Sequence, residues 1–147
     1  MKDPNLDFIM LVARLQRETQ EMIKQQLENE GTRDLNAAQA VILLNLSEHE
    51  TSVGALMERG YYAGSNVSYN VRKMVERGYL EQRVSESDRR SLLVSPSQKG
   101  QAVRDRLGAS LAPNSEFRTL ATQFEKALQE ALDHISSIRR DWKDTGT

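Results

Sequence analysis

The side chains best equipped for chemistry in this sequence of 147 residues are hydrogen-bonding and cationic groups, gathered in two places. The first is a run containing Ser65, Asn66, Ser68, Tyr69, Arg72 and Lys73, and the second is Asp88, Arg89 and Arg90 within the polar stretch SESDRR. Guanidinium and ammonium groups neutralise phosphate and hydroxyls bond to its oxygens, while a carboxamide can pair with adenine through both oxygen and nitrogen. These groups suit recognition of a polyanion better than turnover. The sequence has no cysteine, His49 and His134 stand apart, Glu48 and Glu50 have no nucleophile or histidine beside them, and there is no glycine-rich phosphate loop. Isolated histidines are more often surface or core polar groups than ligands, and the glutamates read as solvated. No enzyme activity, metal or cofactor is expected.

The net charge of −1 favours neither nucleic acid nor membrane, but it averages an asymmetry. Between Arg59 and Arg104 nine basic residues stand against four acidic ones, an excess of five positive charges, so the rest of the chain carries six negative ones. Hydrophobic residues make up 38%, enough for one core of ordinary size. The absence of cysteine rules out disulfides and thiolate metal sites and suits a cytoplasmic protein. The opening MKDPNLDF lacks the basic and then apolar order of an export signal, and no apolar run approaches the roughly 20 residues that cross a bilayer.

Local patterns supply the elements that must position the two clusters. Phe8, Ile9, Val12, Leu15, Ile23 and Leu27 recur mostly at helical spacing, with Asp3 or Asn5 as cap and Gly31 as stop, which predicts a long helix over 6–30. Asn36 then caps a segment over 37–46 that is apolar all round, as a buried helix is. Thr51 is placed to cap a short helix in which Val53, Leu56 and Met57 share a face, ended by Gly60. After a Tyr-Tyr-Ala-Gly turn, in which Tyr61 and Tyr62 read as packing groups, Ser65 opens a helix that Gly78 closes. Its inward stripe is Val67, Val71, Met74 and Val75, leaving Ser65, Tyr69, Arg72, Lys73 and Glu76 outward with Asn66 and Asn70 on the flanks. YLEQRV and SLLVS, joined by SESDRR, predict a hairpin. Pro96 suits the start of the next helix, carried by Val103, Leu107 and Leu111 to about 112, and a last helix over 116–142 bears Leu120, Phe124, Leu128, Ala131, Ile135 and Ile138.

The order helix, helix, turn, helix, strand, charged loop, strand is that of a winged helix-turn-helix. The helix from Ser65 has the width and polarity to enter a major groove, with Ser65, Asn66, Ser68 and Tyr69 at base edges and phosphates and Arg72 and Lys73 one turn on. A narrow minor groove attracts an inserted arginine, the role expected of Arg90, with Arg89 on phosphate and Asp88 orienting Arg90 through a charge-assisted hydrogen bond. The apolar stripes of the terminal helices need a partner surface, which a second copy of the chain provides. The expected fold is mainly α with a small β-hairpin wing: a winged helix-turn-helix over about 36–100, flanked by dimerisation helices over about 5–30 and 101–142, within one domain.

Residues 51–100, TSVGALMERGYYAGSNVSYNVRKMVERGYLEQRVSESDRRSLLVSPSQKG, resemble the MarR family through the helix-turn-helix ending in ERGYL, the DRRSLLV wing and the following KG. The resemblance implies a winged-helix domain between terminal helices that pair into a triangular dimer, acting on double-stranded DNA in bacterial transcription. Many members resemble one another in releasing DNA when a small aromatic compound binds between the dimer helices and the winged domain. Pro96 and Ser97 replace the family's common aliphatic residue and Thr, which predicts an early end to the second wing strand. The expected output is a repressor binding a pseudo-palindromic operator as a homodimer. The alternative is a winged-helix protein-interaction module without a DNA target.

Overall fold

The computed structural model describes residues 3–59, 66–111 and 115–145. Helix α1, Pro4–Asn29, begins where the Asp3 carboxylate accepts the Asn5 N–H at 2.9 Å, with proline at a first-turn position that has no use for an N–H. It ends as Gly31 takes φ +75°, a left-handed turn that returns the Thr32 N–H to the Leu27 carbonyl at 2.9 Å. Helix α2, Ala37–Asn45, carries a reciprocal cap: Asn36 accepts the Gln39 N–H and the Gln39 side chain accepts the Asn36 N–H. Being apolar on every side, it lies at the centre of the core. Ile42 and Leu43 meet Ile23 and Leu27 of α1 in a cluster completed by Leu56, Val71, Met74, Val94, Val103 and Leu107.

Strand β1, Thr51–Ser52, leads directly into α3, Val53–Glu58. The expected Thr51 cap is thus displaced by one residue: Thr51 is drawn into a β ladder opposite Val94, and Ser52 caps α3 by accepting the Ala55 N–H at 3.0 Å. Met57, expected inward with Leu56, is 54% exposed while Leu56 is buried. Gly60, Tyr61, Tyr62 and Ser65, to which the sequence assigns the turn and the opening of the next helix, lie outside the described residues. Helix α4 spans Val67–Glu76 and buries Val67, Val71 and Met74 as the periodicity predicts. Gly78 at φ +77° then turns the chain into the sheet.

Strands β2, Leu80–Val84, and β3, Leu92–Pro96, form the antiparallel hairpin, and the three strands are ordered β1-β3-β2. Pro96 therefore ends a strand, opposite Leu80, and neither shortens it nor starts a helix. The Ser97 N–H reaches the Tyr79 carbonyl at 3.0 Å, so Pro96 faces the other way, where β1 has no residue opposite and the missing N–H removes no ladder bond. Helix α5, Gln98–Leu111, starts after Ser97, whose hydroxyl accepts the Gly100 N–H at 3.1 Å, and buries Val103 and Leu107 against α2.

Two compact units result, Met1–Leu111 and Ala112–Thr147. The second contains α6, Ser115–Thr145, which exposes Leu120, Phe124, Leu128, Leu132, Ile135 and Ile138. Within the first, the N-terminal half of α1 exposes Leu6, Ile9, Met10, Leu11 and Leu15. Among the described residues no helix is long and apolar enough to cross a membrane.

Candidate nucleic-acid interface

The outer face of α4 is prepared by its cap. Asn66, expected within the helix, precedes it, and its Oδ1 accepts the Tyr69 N–H at 3.0 Å. A bidentate adenine contact through that carboxamide would share an oxygen already bonded to the backbone. Asn70, expected on the flank, is 6% exposed because it turns toward α2, accepting from Gln39 Nε2 at 3.1 Å and donating to the Asn66 carbonyl. A buried amide next to the apolar stripe needs such partners. Ser68 and Tyr69 are exposed, and the Ser68 hydroxyl lies 3.9 Å from the Met57 sulfur, which brings α3 to the edge of the same face. Lys73 is half-buried, paired with Glu76 at 2.8 Å and 5.9 Å from the Tyr69 ring centre. That bond, with the charges of Lys73 and Arg72 behind it, lowers the Glu76 carboxyl below its ordinary range.

The tip of the wing is a closed network. The Ser85 N–H donates to the Ser91 carbonyl at 2.9 Å, the Ser91 N–H to the Asp88 carbonyl at 2.9 Å, and the Asp88 N–H to the Ser85 hydroxyl at 3.3 Å. The Asp88 carboxylate accepts the Ser91 hydroxyl at 2.6 Å and the Arg90 backbone N–H at 3.0 Å, which together hold it below the usual carboxylate range. Its charge-assisted bond to Arg90 is therefore to the backbone and not to the guanidinium. It fixes the turn from which Arg89 and Arg90 leave. Ser85 and Ser91 went unnoticed in the sequence, although a serine three residues on either side of Asp88 is a turn-closing pattern.

Partners now divide the nine cations between Arg59 and Arg104. Arg59 donates to the Asn45 carbonyl at 3.3 Å and Arg104 to the Leu46 carbonyl at 3.1 Å, so two guanidiniums cover the C-terminal end of α2. Arg77 donates to the Asp34 carbonyl and Lys99 to the Arg77 carbonyl at 2.8 Å, with the Lys99 ammonium 3.9 Å from the Tyr79 ring centre. The Tyr79 hydroxyl donates to Asp34 at 2.5 Å; burial first and this carboxylate second push its pKa up to about 12, and the same bond lowers that of Asp34. Arg83 forms a two-pronged pair with Glu50, both bonds 2.6 Å, so Glu50 is not the merely solvated group expected. With Lys73 paired to Glu76, the described residues provide no hydrogen bond or ion-pair partner for the remaining three, Arg72, Arg89 and Arg90.

The fold that carries these groups has counterparts among known proteins. The MarR family model matches residues 33–91, which include α2 to α4, β1, β2 and the wing tip. Over that span the chain is similar to the MarR family. A transcriptional activator of exopolysaccharide II synthesis, ExpG of Rhizobium meliloti, is 32% identical over 135 residues, covering 92% of this chain. The chain spans 62% of that relative's length. Among solved structures, AbsC, a MarR family transcriptional regulator from Streptomyces coelicolor, superposes with a TM-score of 0.70 at 20% identity, covering 93% of this chain and 97% of that one. MepR of Staphylococcus aureus, in a complex with DNA, gives 0.68 at 17% identity over 89% of this chain and 97% of its own. At these identities the structural likeness concerns the fold, a mainly helical chain with a small antiparallel wing.

Proposed function

We propose that this chain is a bacterial, cytoplasmic transcriptional regulator of the MarR family that binds double-stranded DNA sequence-specifically, as a homodimer on a pseudo-palindromic operator. The observation that carries the reading is that Arg72 on α4 and Arg89 and Arg90 on the wing have no partner among the described residues, while six neighbouring cations do. Unpaired guanidiniums held on rigid elements are ready to displace counterions from a phosphate backbone without first breaking a protein contact. In this reading Ser65, Asn66, Ser68 and Tyr69 meet base edges and phosphates in the major groove, Arg72 and Lys73 reach the flanking backbone, Arg89 takes phosphate, and Arg90 enters the minor groove from the turn that Asp88 holds.

Dimerisation is supported by the apolar surfaces of α1 and α6, too large and regular to stay in water. A groove of about 520 Å³ on the first unit, lined by Leu27 and Leu35 together with Lys24, Glu28 and Arg33, is a candidate place for a small aromatic effector. An operator covering the promoter gives the repression expected from the sequence. The activator name of the 32% identical relative favours a reporter assay that can register either sign.

The test is selection of duplexes from a randomised pool by the purified chain, followed by gel shift over a salt series. The expected result is an inverted-repeat sequence whose binding weakens steeply with salt. Recovery of no sequence, with salt-insensitive binding to a protein partner instead, would establish the interaction-module reading.

A further inference from the structure

The wing tip is rigid within itself, yet little burial fixes where it points. Of β2 only Leu80 is buried, and the apolar pair at the far end, Val84 opposite Leu92, is 52% and 44% exposed. β1 is two residues long and bonds to β3, as β2 does from the other side. The outer strands of the sheet are joined across β3 by one further contact among the described residues, the two 2.6 Å bonds from Arg83 on β2 to Glu50. Glu50 immediately precedes β1, which runs without a break into α3. The pair thus connects the hairpin that carries the arginines to the segment entering the helix-turn-helix. Two parallel bonds between planar groups restrain direction as well as distance, which a single lysine contact does not. The pairing also holds the Glu50 carboxyl below its ordinary range, first through the hydrogen bonds from Arg83.

We propose that Glu50 is a positioning residue for DNA binding: its clamp on Arg83 sets the angle at which the wing carries Arg89 and Arg90 relative to α4. The proposal rests on the DNA-binding reading above and adds a residue that touches no DNA. A surface pair of this kind contributes little to overall stability, so its effect falls on geometry. The competing role for Glu50 makes the opposite prediction. If it merely withheld Arg83 from phosphate, removing its charge would tighten binding.

The experiment compares wild type, Glu50→Gln, Arg83→Glu and the double exchange Glu50→Arg with Arg83→Glu, on the duplex that wild type recovers from a randomised pool. Glu50→Gln is expected to bind about fivefold more weakly, the scale of a well-formed exposed pair. Minor-groove protection at the flanks should fade while major-groove protection at the centre of each half-site persists, with the melting temperature unchanged. The double exchange, which restores an opposite-charge pair in reverse, should recover flank protection that Arg83→Glu alone loses. Unchanged or tighter binding by Glu50→Gln, or a double exchange no better than Arg83→Glu, overturns the positioning role and leaves DNA binding standing. A wild type that recovers no duplex overturns both.

Discussion

One set of cations, here the rear set, comprises Arg77, Lys99 and Arg104, each ending on a backbone carbonyl; another, the front set, comprises Arg72 on α4 and Arg89 and Arg90 on the wing, without a partner among the described residues. The residue types are the same and their sequence neighbourhood is shared, but the rear set joins the α1–α2 loop, the end of α2, α4 and α5, while the front set is available to a ligand. Positive charge counted along a chain therefore says little about binding until the internal acceptors are subtracted. Here five of the nine cations in the most basic stretch are occupied in holding the module together, and a sixth, Lys73, pairs within its own helix. Changes at the rear should alter stability and leave the salt dependence of binding alone, and changes at the front should do the reverse.

The strongest way to break the rear is Gly100→Ala. A Cβ there would lie 2.0 Å from the Tyr79 carbonyl oxygen, a backbone atom that cannot move aside without displacing the end of α4. A loss of about 3 kcal/mol is expected in urea denaturation, at the upper end for overpacked sites. At the front, the double change Arg89→Ala with Arg90→Ala should weaken operator binding about 30-fold and lower the steepness of its log–log salt dependence by about two, with unfolding free energy within about 0.5 kcal/mol of wild type. A salt slope that did not move would remove these arginines from the interface.

Arg104→Met sharpens the contrast, because its side chain is 15% exposed and its guanidinium covers the end of α2. Stability should fall by about 2 kcal/mol as a carbonyl loses a charged donor, and the salt slope should match wild type. The smallest effect expected is that of Tyr79→Phe, read against pH. The folded hydroxyl keeps its proton up to a pKa of about 12, above its ordinary value of 10.0, so its contribution is complete below pH 10 and is lost as pH rises through about 12. Replacing the hydroxyl should cost about 1 kcal/mol at neutral pH and flatten that alkaline decline in stability. An unaltered alkaline limb would assign it to another group.

Much of the architecture was legible because it is written locally. The Asn36 cap, the stops at Gly31 and Gly78, the buried stripe of α4 and the hairpin either side of SESDRR each depend on residues within a few positions of one another. The errors arose where a distant element intervened. Thr51 gave up its cap to pair with Val94, Asn70 turned inward to meet Gln39, and Pro96 stayed in its strand because the side lacking an N–H had no strand to bond. Nothing local to Glu50 marks it as paired, because its partner Arg83 is 33 positions away.

From its sequence alone this chain determined which helices and which hairpin form, where α1 and α2 are capped, and which stretch holds the polar face and the arginine-tipped turn. Only the tertiary structure decided that Arg59, Arg77, Arg83, Lys99 and Arg104 are spent internally, because their acceptors are carbonyls or a carboxylate 14 to 58 positions distant, from Asn45 for Arg59 to Leu46 for Arg104. A hydrogen bond needs its partner within about 3 Å, and no periodicity in the chain records which remote residues the packing of α2 against α3, α4 and α5 will bring that close.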